Sequence, residues 1–531
     1  MNSWLIVLTP LLPLLLALPL SVARWRSAAL AAAPWAALPA FILALRAGDA
    51  ALDAPWLLLG MRFGVDAVAR AFLLFSAPLW LIAGFYARAY LAHDAQRARF
   101  TAFFLVTLSG NLGLILAQDI AGFYLFFALL TFAAYGLVVH ANDAAAWRAG
   151  RVYLIMAVLG EALLLAGFIL TADASGTLLL AAAPAAVAQA PARDLIIGLL
   201  LAGFGVKAGV ILLHMWLPLA HAAAPTPASA MLSGPIIKAG LLGWLRFLPL
   251  GHAALPEWGA LCIGAGAVAL FYGVAFGLAQ HNPKTVLAYS SVSQMGFITI
   301  ALGAGLAAPA TAPLAMSAAL VYAAHHAAAK GALFLGVGAA QVAHRRRWVF
   351  AGLLLPALAL AGAPFTGGAA AKFYLKEAAP AWETFDWLLP LAALGTTLLM
   401  ARFFVLLARA PRAHESSAQR TRLLAAWCAA LLAAALLVWR LPQIDAAALL
   451  AHWRTPAAWL DETWPLLAGV LIALPAARYA RAVQLPPGDA LVVVETSLRA
   501  LARAGENVNR ALLAQRARWA RWSARLWKRA C

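Results

Sequence analysis

Apolar runs long enough to cross a bilayer recur along this chain, and they constrain its fold more than any other feature. A transmembrane helix needs about 20 consecutive, mostly apolar residues, and such runs extend from the N-terminus to about residue 480 with short polar breaks between them. Only 11% of the residues are charged, against roughly 25% in soluble domains. We therefore predict an all-α integral membrane protein and exclude a water-soluble enzyme, a nucleic-acid binder and an outer-membrane barrel.

The runs divide into fourteen or fifteen predicted transmembrane helices. They lie near residues 4–22, 28–45, 67–87, 101–118, 120–140, 152–171, 195–213, 229–250, 258–280, 285–307, 314–342, 349–376, 387–408, 423–439 and 464–477. Lys and Arg concentrate in alternate connections, and acids such as Asp173, Asp461 and Glu462 fall in the others. Because cytoplasmic loops carry the excess of Lys and Arg, we expect a bacterial-type inner membrane protein with its N-terminus outside and its C-terminus in the cytoplasm.

Four regions follow from this pattern of spans. They are N-terminal transmembrane helices (1–100), an ion-translocating core (101–410), C-terminal transmembrane helices (411–485) and a basic cytoplasmic tail (486–531). Within the tail, residues 499–531 carry nine Arg or Lys and one acid, interleaved with apolar side chains. This composition predicts an amphipathic helix that lies either on the anionic inner leaflet or against a neighbouring subunit.

Ionisable side chains inside otherwise apolar spans are the candidate functional residues. A charge at the centre of a bilayer costs roughly 2.5–3.5 kcal/mol on insertion scales, so each one indicates a function. Burial lowers the pKa of an amine and raises that of a carboxylic acid, which brings both towards neutrality. We therefore expect a proton path, with Glu161 and Lys207 as an ion pair that opens to free the lysine. Its predicted members are Glu161, Lys207, His214, Lys238, His325, His326, Lys330 and Lys372.

Two of the predicted spans contain helix-breaking residues beside a lysine. Gly203, Gly205 and Gly209 surround Lys207, and a Gly- and Pro-containing stretch at 362–368 precedes Lys372. Interrupted helices are tolerated at membrane depth where the backbone lines a cavity or packs within protein. One break in each half of the chain predicts two discontinuous helices in a pair of inverted repeats.

No sequence feature supplies energy to the predicted path. Cys262, Cys428 and Cys531 lie far apart without a CxxC pair, which excludes an Fe–S cluster, a zinc site and a disulfide framework. A GxxxxGK[ST] phosphate-binding loop is missing as well. We predict no cofactor, no metal and no self-contained catalytic or redox centre, so that any enzymatic reaction belongs to partner subunits.

Four segments carry a family resemblance. Residues 214–246, HMWLPLAHAAAPTPASAMLSGPIIKAGLLGWLR, resemble the HxWLPxAHxxAPxPxSAxLxGxxxKxG signature of antiporter-like subunits. NPKTVLAYSSVSQMG (282–296), HAAAKGALFL (326–335) and GAPFTGGAAAK (362–372) resemble further segments of the same family. The family is shared by respiratory complex I, Mrp-type sodium/proton antiporters (their D and A components) and membrane-bound hydrogenases of the hydrogenase-4 component B type.

The resemblance implies roles for individual residues. Lys207 matches the lysine of the family's first broken helix, Lys238 the central lysine of the next helix, and Lys372 the residue that ends the channel. His326 and Lys330 match the middle of its hydrophilic axis.

One segment departs from the family pattern. Residues 119–135 resemble a helix that carries a Trp-Glu pair in the family, but Phe127 and Ala128 occupy those positions. In the family that glutamate pairs with the lysine that Lys207 matches. Glu161 lies where some members have a second acid, and we expect it to replace the missing carboxylate.

The family likeness implies a proton-translocating subunit of a multi-subunit ion-pumping or antiporter complex, either Mrp-like or hydrogenase/complex I-like. Its implied partners are other membrane subunits, protons, Na⁺ in an Mrp-like setting, and membrane lipid. Two alternatives stay open at this point. One is a membrane subunit of an inorganic-carbon uptake complex, and the other is a degenerate, non-conducting membrane scaffold.

Overall fold

A computed structural model describes residues 2–46, 48–379, 384–413, 415–479, 496–497, 503, 506, 510, 512–521 and 523–524. The chain forms two compact units, Met1–Leu485 and Pro486–Cys531. In the second unit, residues 512–521 are helical and exposed. Most of the predicted amphipathic tail lies outside the described residues.

The N-terminal part combines helices with one short hairpin. Its elements are α1 (Asn2–Ala17), α2 (Ala23–Ala32), α3 (Leu38–Leu45), β1 (Ala50–Ala54), β2 (Met61–Val65) and α4 (Ala67–Tyr90). The strands pair antiparallel, with Ala50 opposite Val65. This hairpin was not predicted from the sequence.

All the regular elements of the central part are helices. They are α5 (Arg97–Leu116), α6 (Ile120–Val138), α7 (Ala144–Ser175), α8 (Ala183–Gln189), α9 (Arg193–Ala208), α10 (Trp216–Ala223), α11 (Thr226–Met231), α12 (Lys238–Phe247), α13 (Pro256–Leu278), α14 (Pro283–Ala307), α15 (Ala312–Val342), α16 (Arg346–Ala361), α17 (Gly367–Ala378) and α18 (Phe385–Arg409). A π-helical turn, Leu232–Ile236, joins α11 to α12.

Three further helices follow the central part. They are α19 (Ser417–Leu436), α20 (Ala446–Trp453) and α21 (Pro456–Tyr479). Five 3₁₀ turns connect helices among the described residues, at Leu18–Ser21, Ala33–Ala37, Leu180–Ala182, Pro309–Thr311 and Val438–Arg440.

The all-α membrane architecture predicted from the sequence is confirmed. Within the described residues, eleven helical segments are long and apolar enough to cross a membrane, and each coincides with a predicted span. The other four predicted spans correspond to α9, α15, α16 with α17, and α19. Helices α9 and α16 have only 16 residues because the chain breaks after them, and α15 and α19 are less apolar.

Three segments form the buried centre of the bundle. Every residue of 226–245, 285–306 and 318–340 is shielded from the surroundings. These segments carry Lys238 and the polar residues of α15, whose exposure to lipid would cost several kcal/mol each. Burial inside protein removes that contact with lipid, and it brings polar groups from separate helices within reach of one another.

Both breaks predicted beside lysines are present, and their backbones share a pattern. Gly209 ends α9 and Gly362 ends α16, each in the left-handed region, with φ of 68° and 88°. Three residues later, Leu212 and Phe365 also have positive φ, at 69° and 60°. The left-handed glycine closes each helix by accepting a conformation that other residues avoid. The common pattern supports two repeated units, although the inverted repeat itself stays a prediction.

Asp66 lies just before the membrane-spanning helix α4 and connects it to Arg246 near the end of α12. Its carboxylate accepts a hydrogen bond of 2.8 Å from the Ala69 amide and forms an ion pair with both terminal nitrogens of Arg246. Burial raises the pKa of Asp66, but the Arg246 guanidinium and the Ala69 amide outweigh it, so the pKa lies below its ordinary value. The stabilisation is therefore present above the pKa of an unfolded aspartate and is lost as pH falls through the folded-state value.

Asp66→Asn is expected to lower the free energy of unfolding by about 1–2 kcal/mol, less than the 3–5 kcal/mol of a fully buried pair, because the Asp66 side chain is 38% exposed. Thermal unfolding in detergent checks this. Asp53→Asn is the matched control, since its pair with Arg62 is more exposed. Equal midpoints for the two variants would contradict the structural role of Asp66.

Candidate functional site

The centre of the candidate path is a direct contact between Lys238 and His326. The Lys238 amine lies 2.6 Å from Nδ1 of His326 and donates a 2.6 Å hydrogen bond to the carbonyl oxygen of Ser233. Both side chains are fully buried. The π-helical turn immediately precedes Lys238 and contains Pro235, and such turns occur frequently at functional sites.

Helix α15 extends this contact towards the second break. Neither nitrogen of His325 has a hydrogen-bond partner within the described residues, and neither has Nε2 of His326. His325 packs against the start of α17, where Gly368 allows close approach. A Cβ at Gly368 would lie 1.7 Å from the carbonyl oxygen of Ala359 and 3.1 Å from Nε2 of His325. The break thus brings backbone and imidazole together.

Lys330 forms a side branch of the same cluster. Its amine donates to the carbonyl oxygen of Leu287 and to Oγ of Ser290, both at 2.7 Å. Ser290 belongs to the segment that the family resemblance singled out. The structure therefore places Lys330 in the buried centre, one helical turn from His326.

His221 is a member of this cluster that sequence reasoning missed. Its ring stacks on Phe334 with centroids 4.7 Å apart, and Lys238, Lys284 and Lys330 all lie within electrostatic range. Lys284 donates a 2.6 Å hydrogen bond to a backbone carbonyl beside α10. The available signal was the second histidine of the quoted stretch HMWLPLAH, which lies on the same short helix as Trp216.

Glu161 and Lys207 line one cavity without touching. They are both 5% exposed, and the water-accessible space between the cavity walls is about 10 Å³, close to room for one water molecule. Within the described residues, neither carboxylate oxygen of Glu161 has a hydrogen-bond partner within 3.5 Å. No ion pair joins Glu161 to Lys207 within 4.0 Å in the described part of the chain. The ion pair predicted between Glu161 and Lys207 is therefore not formed in this structure, and its opening stays a prediction.

Two aromatic rings lie beside the amine of Lys207, which in the family pairs with a carboxylate. The amine lies 5.4 Å from the ring centre of Phe127 and 5.7 Å from that of Tyr153. Rings attract a cation through their electron-rich faces, by about 2 kcal/mol or more when desolvated. Phe127 directly precedes Ala128, so the ring adjoins the position of the missing acid.

The structure does not join Lys207 directly to Lys238. No hydrogen bond links the two side chains among the described residues, although their helices pack closely through Gly240, where a Cβ would lie 2.5 Å from the carbonyl oxygen of Phe204. His214 is buried in the segment between α9 and α10, with its ring 5.0 Å from that of Tyr272. Glu161 and Lys207 thus form one group and the Lys238–His326 contact the centre of another, whereas His214 lies apart from both.

Lys372 stands at the second break, beside a cavity with a water-accessible volume of about 130 Å³. Its amine donates a 2.7 Å hydrogen bond to the carbonyl oxygen of Ala361, and a Cβ at Gly362 would lie 2.5 Å from that amine. The cavity has room for several water molecules. Its ionisable lining residues are Lys372, Lys376, Glu377, His452, Asp461 and Glu462.

Helices α20 and α21 provide the far wall of this cavity. Nε2 of His452 lies 3.3 Å from Oε1 of Glu462, and the Trp453 indole donates to both Glu462 oxygens. Side-chain exposure rises outward, from 13% for Glu462 to 30% for His452 and 58% for Asp461. The sequence had placed Glu462 only among the outer acids and had not singled out His452, because these helices lie beyond the motif-bearing segments.

A known protein family matches most of the region that carries this arrangement. The family model described as NADH:quinone oxidoreductase/Mrp antiporter, transmembrane, matches residues 117–400, more than half of the chain. The chain belongs to this family. The predicted family likeness is confirmed. The matched range contains every predicted path residue, whereas α20 and α21 lie outside it.

Curated relatives within the family include components of different complexes. Hydrogenase-4 component B of Escherichia coli is 27% identical over 58% of this chain and 50% of its own length. The D component of a Na⁺/H⁺ antiporter from Alkalihalophilus pseudofirmus is 27% identical over 60% of this chain and 67% of its own length. The chain thus spans about half the length of the hydrogenase relative, and these relatives are parts of larger membrane assemblies.

A solved structure shows the same fold. The Mrp complex from Dietzia contains a chain that is 21% identical and superposes with a TM-score of 0.73, covering 96% of this chain and 60% of that one. This antiporter-family fold therefore includes the N-terminal and C-terminal helices as well as the central part.

Proposed function

We propose that this chain is the proton-translocating subunit of a multi-subunit ion-pumping or antiporter complex. The Lys238–His326 contact carries the proposal, because it joins two separate helices by titratable groups at the buried centre of the bundle. A static bundle gains little from such groups, since burying them unsatisfied costs free energy. Their position between two broken helices gives them a use in proton transfer.

The proposed route runs from the first break to the second. Glu161 and Lys207 exchange a proton in their shared cavity. Lys207 then passes it to Lys238 across a gap that no side-chain hydrogen bond spans among the described residues, and Lys238 passes it to His326. His325 then faces α17, from which Lys372 reaches the larger cavity. Lys330, His221 and Lys284 form a second branch towards the start of α14, and His214 lies between α9 and α10 beside the path.

We further propose that protons leave the second cavity through Glu462 and His452. Lys372 lies on the inner side of that cavity and Asp461 on its more exposed side. Glu462 and His452 lie between them, in contact with each other and less exposed than Asp461. A carboxylate and an imidazole at hydrogen-bond distance can take up and release a proton without either moving far.

The side chains of the central route favour protons over metal ions. Amines and imidazoles line it from Lys238 to Lys372, whereas hard metal cations take oxygen ligands. A sodium ion would therefore find repulsion where a proton finds acceptors. Exchange against Na⁺, in an Mrp-like complex, would need oxygen ligands elsewhere in the assembly.

The relatives place related chains in complexes, and we propose the same for this one. Its partners would be other membrane subunits, which supply the driving reaction or the counter-ion. The distribution of Lys and Arg supports an N-terminus outside and a C-terminus in the cytoplasm. We also propose the predicted division of the chain, with residues 101–410 as the translocating core.

Glu161→Gln tests the first step of this proposal. We expect proton movement by the assembled complex in vesicles to fall about tenfold or more, because the amide cannot take up a proton. A pH-sensitive dye inside the vesicles measures the rate. Glu257→Gln, an exposed acid in the first turn of α13, is the matched control. An unchanged rate for Glu161→Gln would show that this acid does not serve Lys207.

A further inference from the structure

A groove of about 730 Å³ opens on the surface between α2, α4 and α19. Most of its lining residues are apolar, and they include Leu30, Ile82 and Phe85. Helices α2 and α4 belong to segments that are long and apolar enough to cross a membrane. Lipid acyl chains match such walls by size and polarity.

Three arginines line the same groove. Arg88 ends α4 in its last turn, Arg97 begins α5, and Arg422 lies in the second turn of α19. Their side chains are exposed. The three residues therefore set positive charge at one end of an apolar groove.

The guanidinium groups of these arginines have more N–H donors than the hydrogen bonds that they make to other described residues. Arg88 donates to the carbonyl oxygen of Ala31 at 3.4 Å and Arg97 to that of Ala92 at 2.8 Å, whereas a guanidinium carries five N–H donors. Within the described part of the chain, none of the three forms an ion pair with an acid. Arg62, Arg70 and Arg246, near the other end of α4, each have an aspartate partner. Among the described residues, the positive charge of these three side chains thus has no acidic partner.

We propose that this groove binds an anionic phospholipid. Its phosphate would accept hydrogen bonds from Arg88, Arg97 and Arg422, and its acyl chains would lie along the apolar walls. Basic pockets between transmembrane helices bind anionic headgroups in this way. Free phosphate would make no use of the apolar walls. The basic C-terminal segment, 499–531, has the wrong charge to occupy the site.

Lipid retention tests the site directly. The intact complex is reconstituted in nanodiscs of mixed phosphatidylglycerol and phosphatidylcholine, and native mass spectrometry reports which lipid stays bound. We expect the wild type to retain phosphatidylglycerol selectively. Each arginine contributes about 1 kcal/mol, or about fivefold in affinity, so the triple variant Arg88→Gln, Arg97→Gln, Arg422→Gln should bind it about 100-fold more weakly.

Two further sets of substitutions distinguish lipid binding in the groove from nonspecific attraction of lipid to positive charge. The triple variant Arg345→Gln, Arg347→Gln, Arg412→Gln removes the same charge from exposed positions outside the groove and should retain the lipid. Ala425→Trp fills the groove while keeping its arginines, and it should release the lipid.

The proposal is overturned if the groove variant retains phosphatidylglycerol as the wild type does, or if both triple variants lose it equally. Retention by Ala425→Trp would also overturn it, because a headgroup could then bind without the apolar walls. Selective loss in both groove variants supports it.

Discussion

Replacing Lys238 with methionine is expected to abolish proton movement by the assembled complex, with a fall of at least about 100-fold. Methionine keeps the apolar stem of the side chain but removes the amine that meets His326 and the Ser233 carbonyl. No other side chain bridges α12 and α15 at this point in the described structure. The proton would therefore stop between the two breaks.

The rate is measured with a pH-sensitive dye in sealed vesicles, and co-purification of the partner subunits shows that the complex has assembled. Lys376→Met is the control, because it removes a lysine whose ion pairs with Asp386 and Asp461 are largely exposed. A wild-type rate for Lys238→Met would leave the membrane scaffold as the function of this chain.

Lys372→Met is expected to have a comparable effect, about 100-fold, at the other end of the route. Its amine is the group that connects the second break to the cavity shared with Glu462 and His452. Lys376 lies one turn further along the same helix and lines the same cavity, so Lys376→Met differs from Lys372→Met chiefly in position. The same vesicle assay compares the two.

Equal rates for these two lysine variants would contradict a specific role for the second break. If Lys372→Met alone blocks proton movement, the next variant is Glu462→Gln. A partial loss there would support release through α21, whereas an unchanged rate would direct release to another side of the cavity.

Much of the fold could be predicted because membrane insertion is governed by local composition. Spans are read from apolar runs, and the breaks after Gly209 and Gly362 are read from glycine and proline in otherwise apolar sequence. The residue types of the path could also be predicted, because an ionisable side chain inside an apolar span is costly and so indicates a function. These features depend on residues close together in the chain.

The remaining features depend on contacts between distant residues. Glu462 and His452 approach Lys372 only because α21 packs beside α18, and His221 approaches Lys330 only because α10 returns to the centre. The rings of Phe127 and Tyr153 likewise lie beside Lys207 only because α6, α7 and α9 pack together. The hairpin at residues 50–65 is too short and too mixed in composition to give a clear pattern.

The π-helical turn before Lys238 holds one more residue than an α-helical turn would. Should that extra residue pass along the helix, Lys238 would rotate by about 100° about the axis, the angle that one residue subtends in an α-helix. Its amine would then swing away from the imidazole of His326. A shift of this single turn would therefore break the contact between Lys238 and His326 while the other helices keep their positions.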